Sequence, residues 1–431
     1  MSISGTSFVN TMPFRGIAAA SVLIAGIQIS QCSDWPQYRG STHDAVVSEN
    51  LLKTWPSKVA EIWKTPTPNG FSSFSVAEGL ASTLITKDGQ ETVVVLDAKT
   101  GKQLWAAPLG NAKYDGGGDS GADDNKGGDG PRSTPTIDDG HVYTLSSQII
   151  LSCFDAKTGK EVWFKNLKTE FGGRTFMWQS AASPLIDGDL VFVNSSTETP
   201  DSSLMAFNKK DGSLVWKGQN EKATHATPII TTILGVRQVV FFTQSGLVSV
   251  VPKTGELLWK APFPFVTSTA ASPCVSGDIV YCAAGYNVGS AAFKISKEGD
   301  KFTATQIWRK KSNANGNHWS TPVVKDGYLY GIFEHGAFGK APLKCIELAT
   351  GKEMWAQNGF GPGGLVLIGG NILVLSDSGK LVLVEGTPSQ YKSLGEYQAI
   401  TGKCWNTFAV SDGHVFVRST KEGACLDVSG K

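Results

Sequence analysis

The sequence lacks any dense run of lysine and arginine. Its 431 residues carry 39 Lys and Arg against 38 Asp and Glu, which gives a formal net charge of +1. A surface that binds nucleic acid concentrates positive charge along the phosphate backbone. The sequence therefore predicts no nucleic-acid partner.

The N-terminal region lacks an apolar run long enough to span a membrane. Residues 16–29 are mainly apolar and follow Arg15, but a spanning helix needs about 20 such residues. A short apolar run between a positive residue and small or polar residues is typical of a secretory signal. We expect residues 1–31 to be a signal peptide. The mature chain, without a transmembrane span, is then exported to the bacterial periplasm or cell envelope.

Cys32 follows this run, as a cysteine that carries a lipid would. Gln31 occupies a position at which a lipid-attachment motif has a small residue. A lipid anchor at Cys32 and an unmodified chain both stay open.

Signatures of familiar catalytic sites are absent from the sequence. No Gly-x-Ser-x-Gly elbow occurs, and no pair among the six histidines has zinc spacing. We therefore expect no catalytic residues. Cys153, Cys345 and Cys425 occupy equivalent positions in separate repeats, too far apart to form disulfides in pairs, so we expect them in the core. Cys274 and Cys282 share one hairpin, and a disulfide between them stays open.

The composition favours strands and turns over helices. The chain has 49 Gly, 19 Pro and 12 Trp, and only 18% of its residues are charged. Such a chain is rich in turns and in residues that pack between sheets. Without a break in composition, one repeat domain is expected at residues 55–431, after an N-terminal extension at residues 32–54.

A nine-residue motif recurs along this domain. Residues 97–105 read DAKTGKQLW and residues 155–163 read DAKTGKEVW. Each copy joins two strands through a Thr-Gly turn and cannot bury its own faces. Looser copies end at Trp216, Trp259 and Trp355, degraded copies end at Trp308 and Tyr397, and an eighth is split between residues 427–431 and Trp63.

A second hairpin lies between successive copies of the motif. It starts with small residues before a proline, at Pro135, Pro184, Pro228, Pro273 and Pro322, and has three degraded versions. Each period of roughly 42 to 58 residues therefore holds four strands, which suits a propeller blade. The sequence predicts an all-β, eight-bladed β-propeller of four-stranded blades. Pairing of the N- and C-terminal strands would close it and leave no open sheet edge. A parallel β-helix would need a shorter period, and a strand-and-helix horseshoe would need helical stretches.

The pattern Asp-x-x-Thr-Gly-Lys-x-x-Trp resembles the tryptophan-docking repeat of the PQQ-like (pyrroloquinoline-quinone-like) propeller family. Residues 34–40, DWPQYRG, are similar to the start of exported propellers of this superfamily. The resemblance implies that each Trp docks on the neighbouring blade. One branch of the family comprises quinoprotein alcohol dehydrogenases, which hold PQQ and calcium beside a vicinal disulfide. Another is the outer-membrane assembly lipoprotein, a propeller of similar length that binds its partner through loops without a cofactor. No two cysteines are adjacent here, so the resemblance favours the second branch.

Loops before the innermost strands of a propeller converge on one mouth of the axial channel. The residues three positions before the repeat prolines, or their equivalents, are Arg132, Ala181, His225, Ala270, Trp319 and Trp405. Aromatic and cationic groups are over-represented there, and such groups stack a flat ligand and pair an anion. The predicted cofactor- or ligand-binding residues are Arg132, Trp178, His225, His318, Trp319 and Trp405. The alternative is that these side chains merely fill a tapered channel.

A glycine-rich segment at residues 116–130 carries clustered carboxylates. Calcium takes six to eight oxygen ligands, and the predicted metal ligands are Asp115, Asp119, Asp123 and Asp129. No Glu closes this segment at the offset of an EF-hand. The alternative is a solvated flexible insertion.

These observations predict a monomeric, exported binding or scaffold protein without enzymatic activity. Its loops would face a protein partner or a small anionic or aromatic ligand in the cell envelope, with no cofactor. The alternative is a PQQ- and calcium-dependent alcohol or sugar dehydrogenase. In that enzyme Trp319 or Trp405 would be the stacking floor, and Arg132 would lie near the quinone oxygens.

Overall fold

The computed structural model describes residues 1–6, 34–47, 51–114, 128–175, 177–267, 269–334 and 340–429. The chain divides into two units, residues 1–32 and 33–431. Residues 1–6 of the first unit form neither helix nor strand. The second unit contains eight four-stranded sheets, one with a fifth strand, that form an eight-bladed β-propeller. The predicted fold class is confirmed.

Two strands precede the first complete blade, and each belongs to a blade formed later in the chain. They are β1 (Val46–Val47) and β2 (Ala60–Pro66). Blade 1 comprises β3 (Ser75–Ala77), β4 (Leu80–Lys87), β5 (Gln90–Asp97) and β6 (Gln103–Asn111). Blade 2 comprises β7 (Thr136–Asp138), β8 (His141–Leu145), β9 (Ile150–Asp155) and β10 (Glu161–Asn166).

Blades 3 to 5 repeat this pattern. Blade 3 comprises β11 (Leu185–Asp187), β12 (Leu190–Asn194), β13 (Leu204–Asn208) and β14 (Leu214–Gly218). Blade 4 comprises β15 (Ile229–Ile233), β16 (Val236–Thr243), β17 (Gly246–Val250) and β18 (Leu257–Pro262). Blade 5 comprises β19 (Cys274–Ser276), β20 (Ile279–Ala284), β21 (Gly289–Glu298) and β22 (Lys301–Lys310).

Blades 6 to 8 complete the ring. Blade 6 comprises β23 (Val323–Lys325), β24 (Tyr328–Ile332), β25 (Leu343–Glu347) and β26 (Glu353–Gln357). Blade 7 comprises β27 (Gly364–Ile368), β28 (Asn371–Leu375), β29 (Lys380–Val384) and β30 (Ser393–Gln398). Blade 8 comprises β31 (Ala409–Ser411), β32 (His414–Arg418) and β33 (Glu422–Asp427), with β2 outermost.

Helix is scarce in the described ranges. One short α-helix, α1 (Leu167–Phe171), follows blade 2, and one 3-10 turn lies at Asn313–Asn315. Neither has the length or the apolar content to cross a membrane, and no other helix occurs in the part of the chain that is described.

Pairing between β2 and β33 closes the ring as the split repeat predicted. Ala60 pairs with Asp427, and Trp63 pairs with Cys425. The strands run antiparallel, so the start and end of the propeller share one sheet. Closure of this kind removes the sheet edges that would otherwise invite pairing between chains.

A buried arginine reinforces this closure. Arg418 in β32 is fully buried and donates to the carbonyl oxygens of Thr67 (3.2 Å), Asn69 (2.9 Å) and Leu84. These residues lie in the connection after β2 and in blade 1, so one guanidinium joins blade 8 to blade 1. Burial lowers the pKa of Arg418 to about 9. The carbonyl contacts compensate for the removal of this cation from water.

Six of the seven repeat tryptophans in the described residues bind the turn of the next blade. Asp155 shows how the turn forms, because its Oδ1 accepts from the Thr158 amide (2.8 Å) and hydroxyl (2.7 Å). Trp105 donates its indole N–H to the carbonyl of Ala156 (2.8 Å). A Cβ placed on Gly159, which has a φ of 71°, would lie 2.6 Å from the Trp105 ring. Glycine is therefore required both by the backbone conformation and by the close approach of the indole.

The same contact recurs around the ring, which confirms the structural role of the tryptophans. The other indole donors and carbonyl acceptors are Trp63 with Ala98, Trp163 with Lys209, Trp216 with Pro252, Trp308 with Leu348, and Trp355 with Thr387. Trp259 is the exception and donates to Gln238 Oε1 of its own blade (2.6 Å). The next blade replaces the short turn with the long β21–β22 hairpin, whose Ile295 and Phe302 pack into the same core cluster as Trp259.

The structure of blade 7 shows that one interpretation of the sequence is wrong. Tyr397 ends the degraded repeat but does not occupy the tryptophan position. In blade 2 the residue after the β-bulge, Trp163, pairs with Cys153, whereas in blade 7 the equivalent pair is Gly395 with Leu383. A Cβ on Gly395 would lie 2.2 Å from the ring of Trp55. Trp55, from the connection before β2, therefore fills the place of the missing repeat tryptophan.

A belt of hydroxyl side chains joins the inner ends of the blades. We define the hydroxyl belt as the residues that precede the repeat prolines or their equivalents: Ser73, Thr134, Ser183, Thr227, Ser272, Thr321 and Thr407. The amides of Ser73, Thr134 and Ser183 donate to the hydroxyls of the next blade at 2.9 to 3.0 Å. Ser272 binds its neighbours on both sides, with its amide 2.9 Å from Thr321 Oγ1 and its hydroxyl 2.8 Å from the Thr227 carbonyl. The small polar residues of the repeated hairpin thus set the spacing of the inner strands.

Residues 35–47, which we call the strap, run along the inner strands below the belt. Trp35 and Val76 of blade 1 are joined by two backbone hydrogen bonds of 2.7 Å, in which the amide of each residue donates to the carbonyl of the other. The Ile137 amide of blade 2 donates to the Pro36 carbonyl (2.8 Å). The side-chain oxygen of Gln37 accepts from the Ile186 amide of blade 3 (3.1 Å). The strap thus binds three consecutive blades on one side of the ring.

The strap then crosses to the other side of the ring. Buried Arg39 donates to the carbonyls of Thr321 (3.1 Å) and Pro322 (2.8 Å), just before the inner strand of blade 6. Beyond it β1 pairs in parallel with β27 of blade 7. Blades 3 and 6 are three positions apart in the eight-membered ring, so the strap crosses between non-adjacent blades, and Tyr38 lies at this crossing. The sequence did not reveal this path.

The cysteines lie in the core as expected. Cys153, Cys345 and Cys425 are each 0 to 1% exposed. All six cysteines in the described ranges are free thiols, including Cys274, which pairs with Tyr281 across its hairpin. A disulfide between Cys274 and Cys282 is therefore not formed. Cys32 lies outside the described residues.

Replacing Trp163 with Ala tests the docking contact. Trp163 is 8% exposed and binds the Lys209 carbonyl, and truncation of a buried Trp to Ala loses about 3 to 5 kcal/mol. We expect Trp163→Ala to lower the free energy of unfolding by that amount in urea titrations. Phe164→Ala is the matched control, since Phe164 lies on the same strand but is exposed and should change stability by less than about 0.5 kcal/mol. Equal effects of the two substitutions would contradict the docking role.

His43 makes the stability of the strap depend on pH. Burial lowers the pKa of His43 from 6.5 to about 4, helped by Arg237 and Arg39 and opposed by Asp187. As the pH falls from 6.5 towards 4, the unfolded chain binds a proton that the folded chain excludes, so stability is lost over this range. The full effect is about 3 kcal/mol at about 1.4 kcal/mol per unit of pKa.

Urea unfolding at pH 7 and pH 4.5 measures this loss. We expect His43→Gln to lose less stability between the two pH values than the unmodified chain, because Gln does not titrate. An identical loss in both proteins would show that His43 is not responsible.

Candidate functional site

A cavity of about 130 Å³ lies on the propeller axis above the hydroxyl belt. All six residues predicted to bind a ligand line it: Arg132, Trp178, His225, His318, Trp319 and Trp405. Ala181 and Ala270, at the equivalent positions of blades 3 and 5, line it as well. The structure thus brings together residues that are spread over nearly 300 positions of the chain, as the repeat register predicted.

Aromatic rings form a continuous arc around this axial cavity. Neighbouring ring centroids lie 6.1 Å apart for Trp178 and Tyr286, 4.8 Å for Tyr286 and His318, 4.6 Å for His318 and Trp319, 4.8 Å for Trp319 and Trp405, and 5.4 Å for Trp405 and Phe71. Such spacing is typical of interacting rings. The arc offers flat apolar surface to a planar group.

Three aromatic lining residues were not identified from the sequence: Tyr38, Phe71 and Tyr286. Phe71 is the blade 1 equivalent of Arg132, but blade 1 has Phe74 in place of the repeat proline, which hid the register. Tyr286 lies in the turn between β20 and β21, away from the repeated positions. Tyr38 belongs to the strap, and no repeat signal predicts where that segment runs.

Backbone conformation at the mouth of the cavity is unusual. Trp178 has a φ of 64° and Tyr286 a φ of 55°, values that are uncommon for bulky residues. Their rings stack with an interplanar angle of 11°. Strained backbone of this kind persists where the surrounding structure fixes it, and it clusters at binding sites. Trp178 and Tyr286 thus form a fixed frame for the mouth.

Arg132 supplies positive charge at the wall of the cavity. Its guanidinium donates to the carbonyls of Gly130 (3.1 Å) and Gly128 (2.5 Å). The guanidinium carbon lies 4.9 Å from the ring centroid of Tyr114 and 5.7 Å from that of Phe71. These contacts orient the cation and leave donors for a further partner, because a guanidinium has five N–H groups.

Glu91, an acid whose charge interacts with Arg132, is buried in the wall. Glu91 is fully buried and accepts from the Tyr114 hydroxyl (2.5 Å) and from the Ser147 amide (2.9 Å). Burial raises the pKa of Glu91, and these hydrogen bonds and Arg132 oppose the shift. The carboxyl is therefore engaged within the wall and does not face the cavity.

The remaining electrostatic groups favour an anion. Burial lowers the pKa of His225 to about 3, and the charge of Arg132 adds to this effect, so the imidazole is neutral at pH 7. Lys403 Nζ lies 4.7 Å from the Trp405 ring centroid. No Asp or Glu occurs among the described residues that line the cavity. The described lining therefore carries the Arg132 cation and no carboxylate, and the carboxylates that interact with Arg132, Glu91 and Asp129, do not line the cavity.

Three buried polar atoms of one loop have no hydrogen-bond partner in the described part of the chain: Trp405 Nε1, Asn406 Oδ1 and Thr407 Oγ1. The residues that carry them all line the cavity. Buried polar groups in native proteins are nearly always paired, and leaving one unpaired costs about 1 to 3 kcal/mol. The loop thus holds unpaired polar atoms that are buried behind the cavity wall.

The predicted metal ligands are only partly within the described ranges. Asp115, Asp119 and Asp123 lie outside them. Asp129 Oδ1 accepts from the Tyr114 amide at 2.9 Å. No group of three or more His, Cys, Asp or Glu side chains suited to a metal is found among the residues described. Calcium binding at this segment stays a prediction.

A PQQ and calcium centre can be tested against the donor atoms at the cavity. Calcium takes six to eight oxygen ligands, largely from carboxylates, and the described lining offers only hydroxyl and amide oxygens. The free cysteines are buried singly in the blades and the loops joining them. The described residues therefore do not fit such a centre, although the aromatic arc and Arg132 suit a planar anion.

Comparison with known proteins gives two groups of relatives. BamB of Moranella endobia is 23% identical over 298 residues, which cover 65% of this chain and 71% of that protein. Quinoprotein ethanol dehydrogenase of Pseudomonas aeruginosa is 30% identical over 148 residues, which cover 31% of this chain and 23% of that protein. The chain thus spans less than a quarter of the dehydrogenase.

The solved structures show the same fold. The crystal structure of quinohemoprotein alcohol dehydrogenase from Comamonas testosteroni superposes with a TM-score of 0.64 at 12% identity, covering 93% of this chain and 81% of that one. The PQQ_2 family model, described as "Outer membrane protein assembly factor BamB", matches residues 89–357, more than half of the sequence. The chain belongs to this PQQ_2 family of propellers.

Proposed function

We propose that this protein is an exported binding protein of the bacterial cell envelope that recognises an anionic, ring-containing group at the mouth of its axial cavity. Residues 1–31 would be the export signal, and residues 32–54 an extension that packs on the propeller at residues 55–431. The group is carried by a small molecule or presented by a protein partner. The observation that carries this proposal is the cationic, aromatic cavity whose described lining contains no carboxylate.

Each feature of the cavity suits one part of such a group. The aromatic arc offers ring surfaces on which the faces of a planar group can stack. Arg132 pairs with an anion through a charge-assisted hydrogen bond, which is about twice as strong as a neutral one. Side chains that only filled a channel would not need this charge.

The family supports a binding role in the envelope. The relatives named BamB are described as outer membrane protein assembly factors, and this chain spans most of the length of the Moranella protein. That similarity supports an envelope location and a protein partner. The predicted export signal, of which only residues 1–6 are described, supports the same location.

Titration calorimetry with 2-naphthoate and N-acetyl-tryptophan tests this function. The first probe represents a small aromatic acid, and the second represents an aromatic anion of a protein. We expect Arg132→Gln to weaken binding at least about tenfold, since a hydrogen bond to a charged group contributes about 1.5 to 3 kcal/mol. Trp319→Ala should also weaken it, whereas the neutral analogue 2-naphthalenemethanol should bind poorly to every variant.

Arg174→Gln is the matched control, because Arg174 is an exposed arginine paired with Glu198 and does not line the cavity. The affinity of the Arg174→Gln variant for both probes should equal that of the unmodified chain. If Arg132→Gln and Trp319→Ala both bind the probes as the unmodified chain does, these side chains only fill the channel and do not bind a ligand.

A quinoprotein oxidoreductase is the second candidate, favoured by the similarity to quinoprotein ethanol dehydrogenase over 148 residues. The donor atoms described above do not fit PQQ and calcium. We therefore expect the purified protein, mixed with PQQ and calcium, to show neither the bound-cofactor absorbance nor dye-linked oxidation of alcohols and sugars. Tight binding of PQQ together with oxidation of alcohols or sugars would show instead that the protein is a quinoprotein oxidoreductase.

A further inference from the structure

The strap gives the axial channel a floor. Tyr38 lies between Gln37, which binds blade 3, and Arg39, which binds blade 6. The chain therefore crosses from blade 3 to blade 6 at Tyr38. Tyr38 lines the axial cavity beside Ser73, Thr227 and Thr407 of the hydroxyl belt, so this residue reaches the cavity from the side opposite the mouth.

A second cavity, of about 220 Å³, lies on the other side of this crossing. Arg39 and His43 of the strap line it, together with Ile230, Val275 and Val324 on the inner strands of blades 4 to 6. In blades 1 to 3, the backbone of the equivalent residue is hydrogen-bonded to the strap. In blades 4 to 6, the described structure has no such hydrogen bond at this position. The strap thus lines both cavities, the axial or upper one through Tyr38 and this lower one through Arg39 and His43, and no described residue lines both.

We propose that Tyr38 determines the specificity of the axial site by closing its lower end. This inference rests on the proposed function, because it concerns the ligand that enters the same cavity. The closed floor limits the length of that ligand, which enters and leaves only through the mouth framed by Trp178 and Tyr286. With the Tyr38 ring removed, the upper cavity opens towards the lower one and accepts a longer rigid group.

The strap is held firmly enough for this role. Backbone and buried side-chain hydrogen bonds attach it to blades 1, 2, 3, 6 and 7. Arg39 is 2% exposed and His43 is 5% exposed. Substitution of Tyr38 alone leaves all of these contacts in place, so the floor can be altered without releasing the strap.

The first test measures the affinity for three rigid acids of increasing length: benzoate, biphenyl-4-carboxylate and p-terphenyl-4-carboxylate. We expect the unmodified protein to reject the longest acid and Tyr38→Ala to shift the ratio of affinities towards it by at least tenfold. Tyr38→Phe is the matched control, since it keeps the ring and should keep the order of the unmodified protein. Tyr38→Leu, which has a shorter side chain, provides a second variant if Tyr38→Ala does not fold.

The second test needs no ligand and examines access to the floor. Ala181→Cys places a thiol in the upper cavity, and its rate of labelling by 2-sulfonatoethyl methanethiosulfonate is measured with and without Ala270→Trp, which obstructs that cavity. With Tyr38 in place, we expect Ala270→Trp to slow the labelling at least tenfold, and adding Tyr38→Ala should restore the rate by access through the lower cavity. If Tyr38→Ala leaves the slowed rate unchanged, the floor proposal fails.

The two tests separate the two proposals. If the unmodified protein binds none of the aromatic acids, the proposed function fails, and the labelling rates alone decide whether Tyr38 closes the channel. If the acids bind but folded Tyr38→Ala and Tyr38→Leu keep the affinity order of the unmodified protein, the floor proposal fails and the proposed function stands.

Discussion

The docking of an indole on the glycine turn of the next blade is the contact on which the rest of the molecule depends. A single blade exposes both of its faces, and the indole covers one face while its N–H satisfies a carbonyl of the next turn, as Trp105 does with Ala156. The contact needs glycine, because a Cβ on Gly159 would overlap the ring. Where the turn is lost, as after Trp259, a longer hairpin provides the cover. Where the tryptophan itself is lost, at Gly395, Trp55 supplies an indole from outside the blade.

Ring closure and the binding cavity are physically linked. The hydroxyl belt and Arg418 draw the inner strands together around the axis. The loops immediately before those strands then converge, which places Arg132 and the aromatic arc around one cavity. A rigid ring keeps these side chains in place without a ligand, so binding does not have to order them.

Charge gives the cavity its chemical preference. Arg132 is oriented by carbonyls and aromatic faces, and Glu91 is engaged behind it with hydrogen bonds of its own. In a site partly shielded from water, one such cation without a facing carboxylate has a stronger effect than at the surface. The absence of carboxylates in the described lining argues against calcium binding by those residues.

The sequence by itself determined the number of blades, the clasp of β2 with β33 and six of the residues around the cavity, because each depends on a repeat register that is local in the chain. It misplaced the tryptophan position of blade 7 at Tyr397, since a β-bulge, visible only in strand pairing, puts Gly395 there. It gave no sign of the strap's path. Only the tertiary structure decided that path and the position of Tyr38 on the axis, because they arise from contacts with blades 3 and 6, whose sequences lie far from residues 35–47.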